Sequence, residues 1–287
     1  MKNLQLKLTV LFLLSSYVSF AQFGFVKKPD VEAMKDTRMV IVLNADSAYS
    51  AAIQTAVQKY WSFNTGYVFV SDTALKPYLK KPEYSFLVFS KSKGSRIKAK
   101  VCTAENDING VLLAKNYKRK ISAADMVAIG YCSNSIDTID WYPELVRGVQ
   151  LLDFFLNHAL QAKDDRAMSE SFLMNNYPTD KGVMSSQTLL FEKRLLDIKP
   201  TEDAAVLWDG EIDEQVSVDG IHDAILKQDP TKVYYYQVQD EKYCNKLVVS
   251  AQNSELMYFT STGRDKCKLT SKDLKTLKAI KDKASKL

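Results

Sequence analysis

The chain contains two histidines, His158 and His222, and four cysteines, Cys102, Cys132, Cys244 and Cys267. A Cys132 thiolate with His158 as its base, oriented by Asp137 or Asp140, would make a nucleophilic centre if thiol and imidazole touch. A plainer reading places His158 in the last turn of a helix, where a partly charged ring favours the negative helix end. His222 lies between Asp219 and Asp223 at a helix start. As chemistry this is an acid–base pair or two metal ligands; as structure, Asp219 caps the helix and His222 is a surface residue. Asp209, Glu211, Asp213 and Glu214 alternate as hard cations prefer. Glu214 nevertheless stands where a calcium loop needs glycine, and Gly220 where it needs a bidentate carboxylate, so a solvated turn is expected. With His158 and His222 as the only histidines, H-E-x-x-H and other paired-histidine zinc sites are excluded. The ten glycines never come closer than Gly210 and Gly220, too sparse for a phosphate loop or a nucleophile elbow. The sequence therefore assigns no catalytic, cofactor-binding or metal residue.

The amino terminus carries the clearest signal. Lys2 and Lys7 precede the apolar run Leu8–Leu14, and Ser19-Phe20-Ala21 places small residues before Gln22, the pattern of a cleaved secretory signal. The run is shorter than the roughly 20 residues of a spanning helix. Export to the periplasm or the exterior is expected, with no transmembrane segment after cleavage. No two cysteines approach C-x-x-C spacing, which excludes thioredoxin and zinc-ribbon patterns. Two bridges are favoured, Cys102–Cys132 and Cys244–Cys267, each closing a loop within one half; four buried thiols are the alternative. The net charge of +5 is unevenly placed: residues 264–287 carry +6, while residues 22–263 carry −3. An acidic, exported body argues against a nucleic-acid partner.

The elements that would position these groups follow from hydrophobic periodicity. Met39–Leu43 reads as a buried strand. Tyr49, Ala52, Ile53, Ala56, Val57, Tyr60 and Trp61 form one helical stripe opened by Asp46 or Ser47. Strands over Tyr67–Val70 and Tyr84–Phe89 flank a short helix over Asp72–Lys80, which gives a parallel sheet with crossovers. Ile97–Cys102, Gly110–Lys115 and Met126–Tyr131 add antiparallel strands. A helix runs from Pro143 to Gln161, with Leu145, Val149, Leu152, Leu156 and Leu160 on its buried face, and helix continues over 164–175. Beyond Asn176–Gly182, which has linker character, come a strand at Thr188–Phe191 and an ambiguous stretch from Pro200 to Val218. A helix from Asp219 or Gly220 to Lys227 and three successive strands follow, then a terminal helix capped by Thr270.

The expected fold is α/β: a mixed sheet with flanking helices, followed by a smaller α+β domain. The expected organisation is a signal over 1–21, an extended leader over 22–37, an α/β domain over 38–175, a linker over 176–186 and an α+β domain with a basic C-terminal helix over 187–287. The order of elements in residues 38–117 resembles, in architecture alone, the small amino-terminal α/β domain of TolB-type envelope proteins. The resemblance implies fold and no function.

Two surfaces are candidates for contact. In Tyr234-Tyr235-Tyr236, strand geometry points Tyr235 opposite to its neighbours, leaving one side for a partner. Lys268, Lys272, Lys275, Lys278, Lys281, Lys283 and Lys286 could meet anionic lipid or form a solvated helix face. Trp61 and Phe63 are read as core. The expected function is a non-enzymatic exported envelope protein that binds or scaffolds a protein or other envelope component. A hydrolase assembled only in the fold and a membrane-surface protein held by the basic helix are the alternatives. No cofactor is expected.

Overall fold

A computed structural model describes residues 28–64, 66–91, 97–98, 101–102, 109–117, 121, 125–132, 140–162, 187–213, 216–239 and 243–284. The expected signal, the helix over 164–175 and the linker over 176–186 lie outside these residues. In place of an extended leader stands α1 (Lys28–Lys35), whose Val31 and Met34, one turn apart, are both buried.

Strand β1 (Arg38–Leu43) leads into α2 (Ser47–Tyr60), where Asp46 accepts a hydrogen bond from the Tyr49 amide at 3.0 Å. The expected stripe is buried from Tyr49 to Val57. Strand β2 (Tyr67–Ser71) pairs parallel with β1. The helix expected after it shrinks to a 3-10 turn at Asp72–Ala74, short of Pro77, which has no amide proton to continue a helix. Strand β3 (Tyr84–Lys91) lies parallel on the other side of β1. The next expected strand splits into a separate hairpin of β4 (Ile97–Lys98) and β5 (Val101–Cys102). Strands β6 (Asn109–Ala114) and β7 (Met126–Tyr131) add antiparallel, giving the order β2-β1-β3-β6-β7. Helix α3 (Trp141–Gln161) follows, capped by Asp140.

The second half contains β8 (Thr188–Leu190), β9 (Leu196–Asp197), α4 (Ala204–Trp208), β10 (Ile212–Asp213) and α5 (Val218–Lys227). The cap of α5 is Ser217, whose hydroxyl accepts from the Gly220 amide at 3.2 Å, and not Asp219. Strands β11 (Lys232–Gln239), β12 (Tyr243–Ser250) and β13 (Leu256–Gly263) precede β14 (Leu269–Thr270) and α6 (Ser271–Ala284). The second sheet has the order β10-β8-β11-β12-β13, and β14 pairs with β9 beside it. The class is α/β, as expected.

Helix α3 is the hub. Fourteen of its 21 residues are buried, including Glu144, Arg147 and Gln150 as well as Leu145, Val149, Leu152 and Leu156 of the expected face, while Leu160 is half-buried. The polar residues are buried because both sheets reach this helix. One apolar cluster joins Ile41, Leu87 and Val111 of the first sheet, Leu145, Val149 and Leu152 of α3, and Tyr234, Tyr236 and Leu247 of the second. A second cluster fills the far face of the second sheet, where Tyr235 and Val248 meet Trp208 of α4 and Leu274 and Leu277 of α6. The closest approach in the first half is through glycine. A Cβ on Gly130 of β7 would sit 1.9 Å from the Gly148 carbonyl oxygen of α3, so helix and strand touch backbone to backbone.

Candidate functional site

The densest group of ionisable side chains sits where α3 meets α5 and the second sheet. Glu144 and Arg147, one turn apart on α3, form an ion pair with both side chains about 5% exposed. The other carboxylate oxygen of Glu144 lies 3.1 Å from His222 Nε2 on α5. The Arg147 guanidinium stacks on Tyr236, 4.6 Å from the ring centroid, and lies 5.9 Å from that of Tyr234. Burial, the largest single influence, opposes the Arg147 charge, but Glu144 together with Tyr234, Tyr236 and Cys132 outweighs it and holds the guanidinium protonated. Burial raises both phenols and keeps them neutral. Among the described residues, Arg147 Nε and Tyr236 Oη are enclosed without a hydrogen-bond partner. The neighbouring Cys132 thiol donates to the Glu144 carbonyl at 3.2 Å, and burial pushes its pKa up, away from thiolate character. Enclosed and mutually paired, these groups cross-link the two halves of the molecule.

Several expected residues are placed differently from their sequence reading. His222 is no surface residue: it is 9% exposed and turned from Asp219 and Asp223 toward Glu144. Asp223 pairs instead with Lys227, at 2.9 Å. His158 and Cys132 are not brought together. Cys132 packs beside Gly148, and His158 lies ten residues further along α3, about 15 Å at the helical rise. There His158 stacks on Phe154, and burial lowers its pKa. Asp140 caps α3, while Asp137 lies outside the described residues. Tyr234, Tyr235 and Tyr236 alternate as expected but are 0%, 1% and 7% exposed, because both faces of the sheet are covered. They offer no contact surface in this structure. Trp61 and Phe63 are core, in edge-to-face contact at 6.0 Å. Asp209 pairs with Lys278 at 3.3 Å and Glu211 accepts from the Thr188 hydroxyl at 3.0 Å. Glu214 lies outside the described residues.

A second polar centre fastens α6 to the second sheet. Lys246, 2% exposed, donates to Asp273 at 2.7 Å and to the Lys268 carbonyl at 2.6 Å. Asp273 also accepts from the Tyr258 hydroxyl at 2.9 Å and from the Thr270 amide at 2.9 Å. Burial would raise this carboxyl, but Lys246 and Thr270 together hold it below its usual range. Cys244 and Cys267 form a disulfide beside this centre, as expected. The other expected bridge is not present: Cys132 is a free, buried thiol, sealed under α3, and the Cys102 side chain lies outside the described residues. A third centre is Asp153 of α3, which accepts from the Ser62 and Phe63 amides at 2.7 and 2.6 Å and clamps the end of α2.

The outward side of α6 differs. Lys272 and Lys275 are exposed and line a shallow groove with Lys199, while Leu274 and Leu277 on the opposite side are fully buried. Sequence reading identified Lys272 and Lys275 but not Lys199, and missed Glu144, Arg147, Lys246 and Asp273. Their signal is a charged residue on an otherwise apolar helix face or strand. No helix among the described residues is long and apolar enough to cross a membrane. No family profile matches the chain, and neither a curated protein nor a solved structure does.

Proposed function

We propose that the chain is an exported envelope protein that does no chemistry of its own and acts by binding or scaffolding another envelope component. The observation that carries this reading is the Glu144–Arg147–His222 junction. The charged side chains best suited to chemistry are enclosed and tie two sheets to one central helix. Such an arrangement fixes the outer faces of the molecule relative to one another, which is what a scaffold requires. The Cys244–Cys267 disulfide fits an oxidising compartment, where such bonds persist.

The test is to follow the native protein in the cells that make it. Its first residue should be Gln22, and it should fractionate with the envelope, bound to another component. Protein that starts at Met1 in the cytosol contradicts export, and a free monomer in the medium contradicts scaffolding.

A further inference from the structure

From the register of the first sheet we infer that its open edge, β2, pairs antiparallel with β2 of a second copy of this chain. The inference goes beyond the function proposed above and does not depend on export.

Among the described residues, each five-stranded sheet ends in two strands with a neighbour on one side only, β2 and β7 in the first and β10 and β13 in the second. An edge of this kind presents a row of amides and carbonyls that another extended backbone can match. Three of the four are closed or too short. β7 is buried from Val127 to Tyr131, β10 has two residues, and β13 is buried from Leu256 to Phe259. β2 differs: Tyr67, Val68 and Phe69 are half-buried and Ser71 is exposed. Its sequence Tyr67-Val68-Phe69-Val70-Ser71 contains no charge and no proline, the devices that commonly keep an edge from pairing.

The register fixes which groups are on offer. Met39 lies opposite Tyr67, and the Met39 amide donates to the Gly66 carbonyl at 2.7 Å. Gly66, Val68 and Val70 therefore turn their backbone groups to β1, while Tyr67, Phe69 and Ser71 present theirs outward. The Tyr67 and Phe69 rings share one face of the strand, in edge-to-face contact at 5.6 Å. A twofold axis through Phe69 sets Tyr67 against the partner's Ser71, and Phe69 against the partner's Phe69. The rings then form a cross-strand aromatic row.

Charge selects a second copy over an unrelated strand. The same axis brings Asp72, just beyond the strand end, opposite the partner's Gly66. A Cβ on Gly66 would lie 3.9 Å from Arg38 Cγ, so the arginine stem flanks that position. Arg38 and Asp72 are both exposed and, among the described residues, neither is in an ion pair. Self-pairing joins Arg38 of each copy to Asp72 of the other, once at either end of the ladder. A contact of this symmetry closes as a dimer.

The experiment is analytical ultracentrifugation of the purified native protein from micromolar to near-millimolar concentration, where a monomer–dimer equilibrium is expected. Arg38→Glu or Asp72→Arg alone sets like charges at both ends of the ladder and should weaken the dimer by about tenfold or more. The two changes together recreate the pairs with opposite sense and should bring the affinity back to within about threefold of the wild type. Phe69→Lys, which puts two ammonium groups side by side on the axis, should abolish pairing. Under mild oxidation Phe69→Cys should give a disulfide-linked dimer and Tyr67→Cys should not, because only the residue on the axis meets its own copy. Circular dichroism checks that each variant is folded. A monomer at every concentration, a dimer indifferent to Phe69→Lys, charge reversals that the double change does not rescue, or crosslinking through Tyr67→Cys as readily as through Phe69→Cys overturns the proposal. Pairing is read on the pure protein, so its failure is distinct from failure of export or of binding to the envelope.

Discussion

His222 Nε2 lies 3.1 Å from Glu144 Oε1, a contact between α5 and α3 made by residues 78 positions apart. The same carboxylate holds Arg147, which in turn rests on Tyr236 of the second sheet. Removing one partner of an enclosed ion pair leaves the other charge unpaired. Arg147→Met should therefore destabilise the protein by about 3–5 kcal/mol. His222→Ala, which removes a single hydrogen-bond partner, should cost about 1–3 kcal/mol. Urea unfolding measures both, and an Arg147→Met change within about 0.5 kcal/mol of the wild type, the scale of a surface substitution, contradicts the junction.

The contact between β7 and α3 makes a sharper prediction about order than about size. A methyl on Gly130 would meet the Gly148 carbonyl oxygen at 1.9 Å, whereas one on Gly148 would meet Cys132 Sγ at 3.0 Å. The first clash is with backbone and has no rotamer to relieve it. Gly130→Ala should cost more than the roughly 1–3 kcal/mol of ordinary overpacking, and Gly148→Ala about that much. Gly66→Ala, with nothing nearer than 3.9 Å, should be close to neutral. Thermal melts of the three variants give the ranking.

Acid should loosen the second half through Asp273. Its folded pKa is depressed, so its contribution is complete above the unfolded value of about 3.9 and disappears as pH falls through the folded value. His158 acts earlier. Its folded pKa is lowered by burial, so the unfolded chain binds the proton first and stability begins to fall below about pH 6.5. Replacing His158 with Gln should flatten the first limb, and Asp273→Asn should remove the second. Asp273→Asn also leaves Lys246 enclosed and unpaired, at a cost of about 3–5 kcal/mol at neutral pH. Urea midpoints measured from about pH 7 to pH 3 separate the two.

Thiol chemistry should sort three of the cysteines. In native protein Cys132 should resist alkylation, being enclosed with a raised pKa, and should react once the chain unfolds. Cys244 and Cys267 should react only after reduction. Replacing both with serine opens a loop of 23 residues and should cost about 3 kcal/mol. Rapid labelling of Cys132 in the folded protein contradicts its placement under α3.

What could be read in the sequence was local. Periodicity located β1, the α2 stripe, β11 to β13 and the buried side of α6, because each is specified by residues a few positions apart. Alternation correctly set Tyr235 against its neighbours, but nothing local tells whether a sheet face is covered, and both were. Glu144 reads as a favourable acid at a helix start, and only the approach of α5 makes it the acceptor for His222. Gly130 and Gly148 are isolated glycines in a chain with few, and their contact is visible only once the helix crosses the strand. Asp203, which accepts from the Ala205 and Val206 amides, opens a helix too short for periodicity to mark.

The central claim is that two sheets share α3 and form one cooperative unit. It is tested most directly by two single-tryptophan variants unfolded in urea, one keeping Trp141 of α3 and the other Trp208 of α4. Each should show fluorescence and far-ultraviolet circular dichroism transitions that coincide, as two-state unfolding of both clusters together requires. A Trp208 signal that melts apart from the circular dichroism, while Trp141 remains native, would show two independent halves and contradict the account.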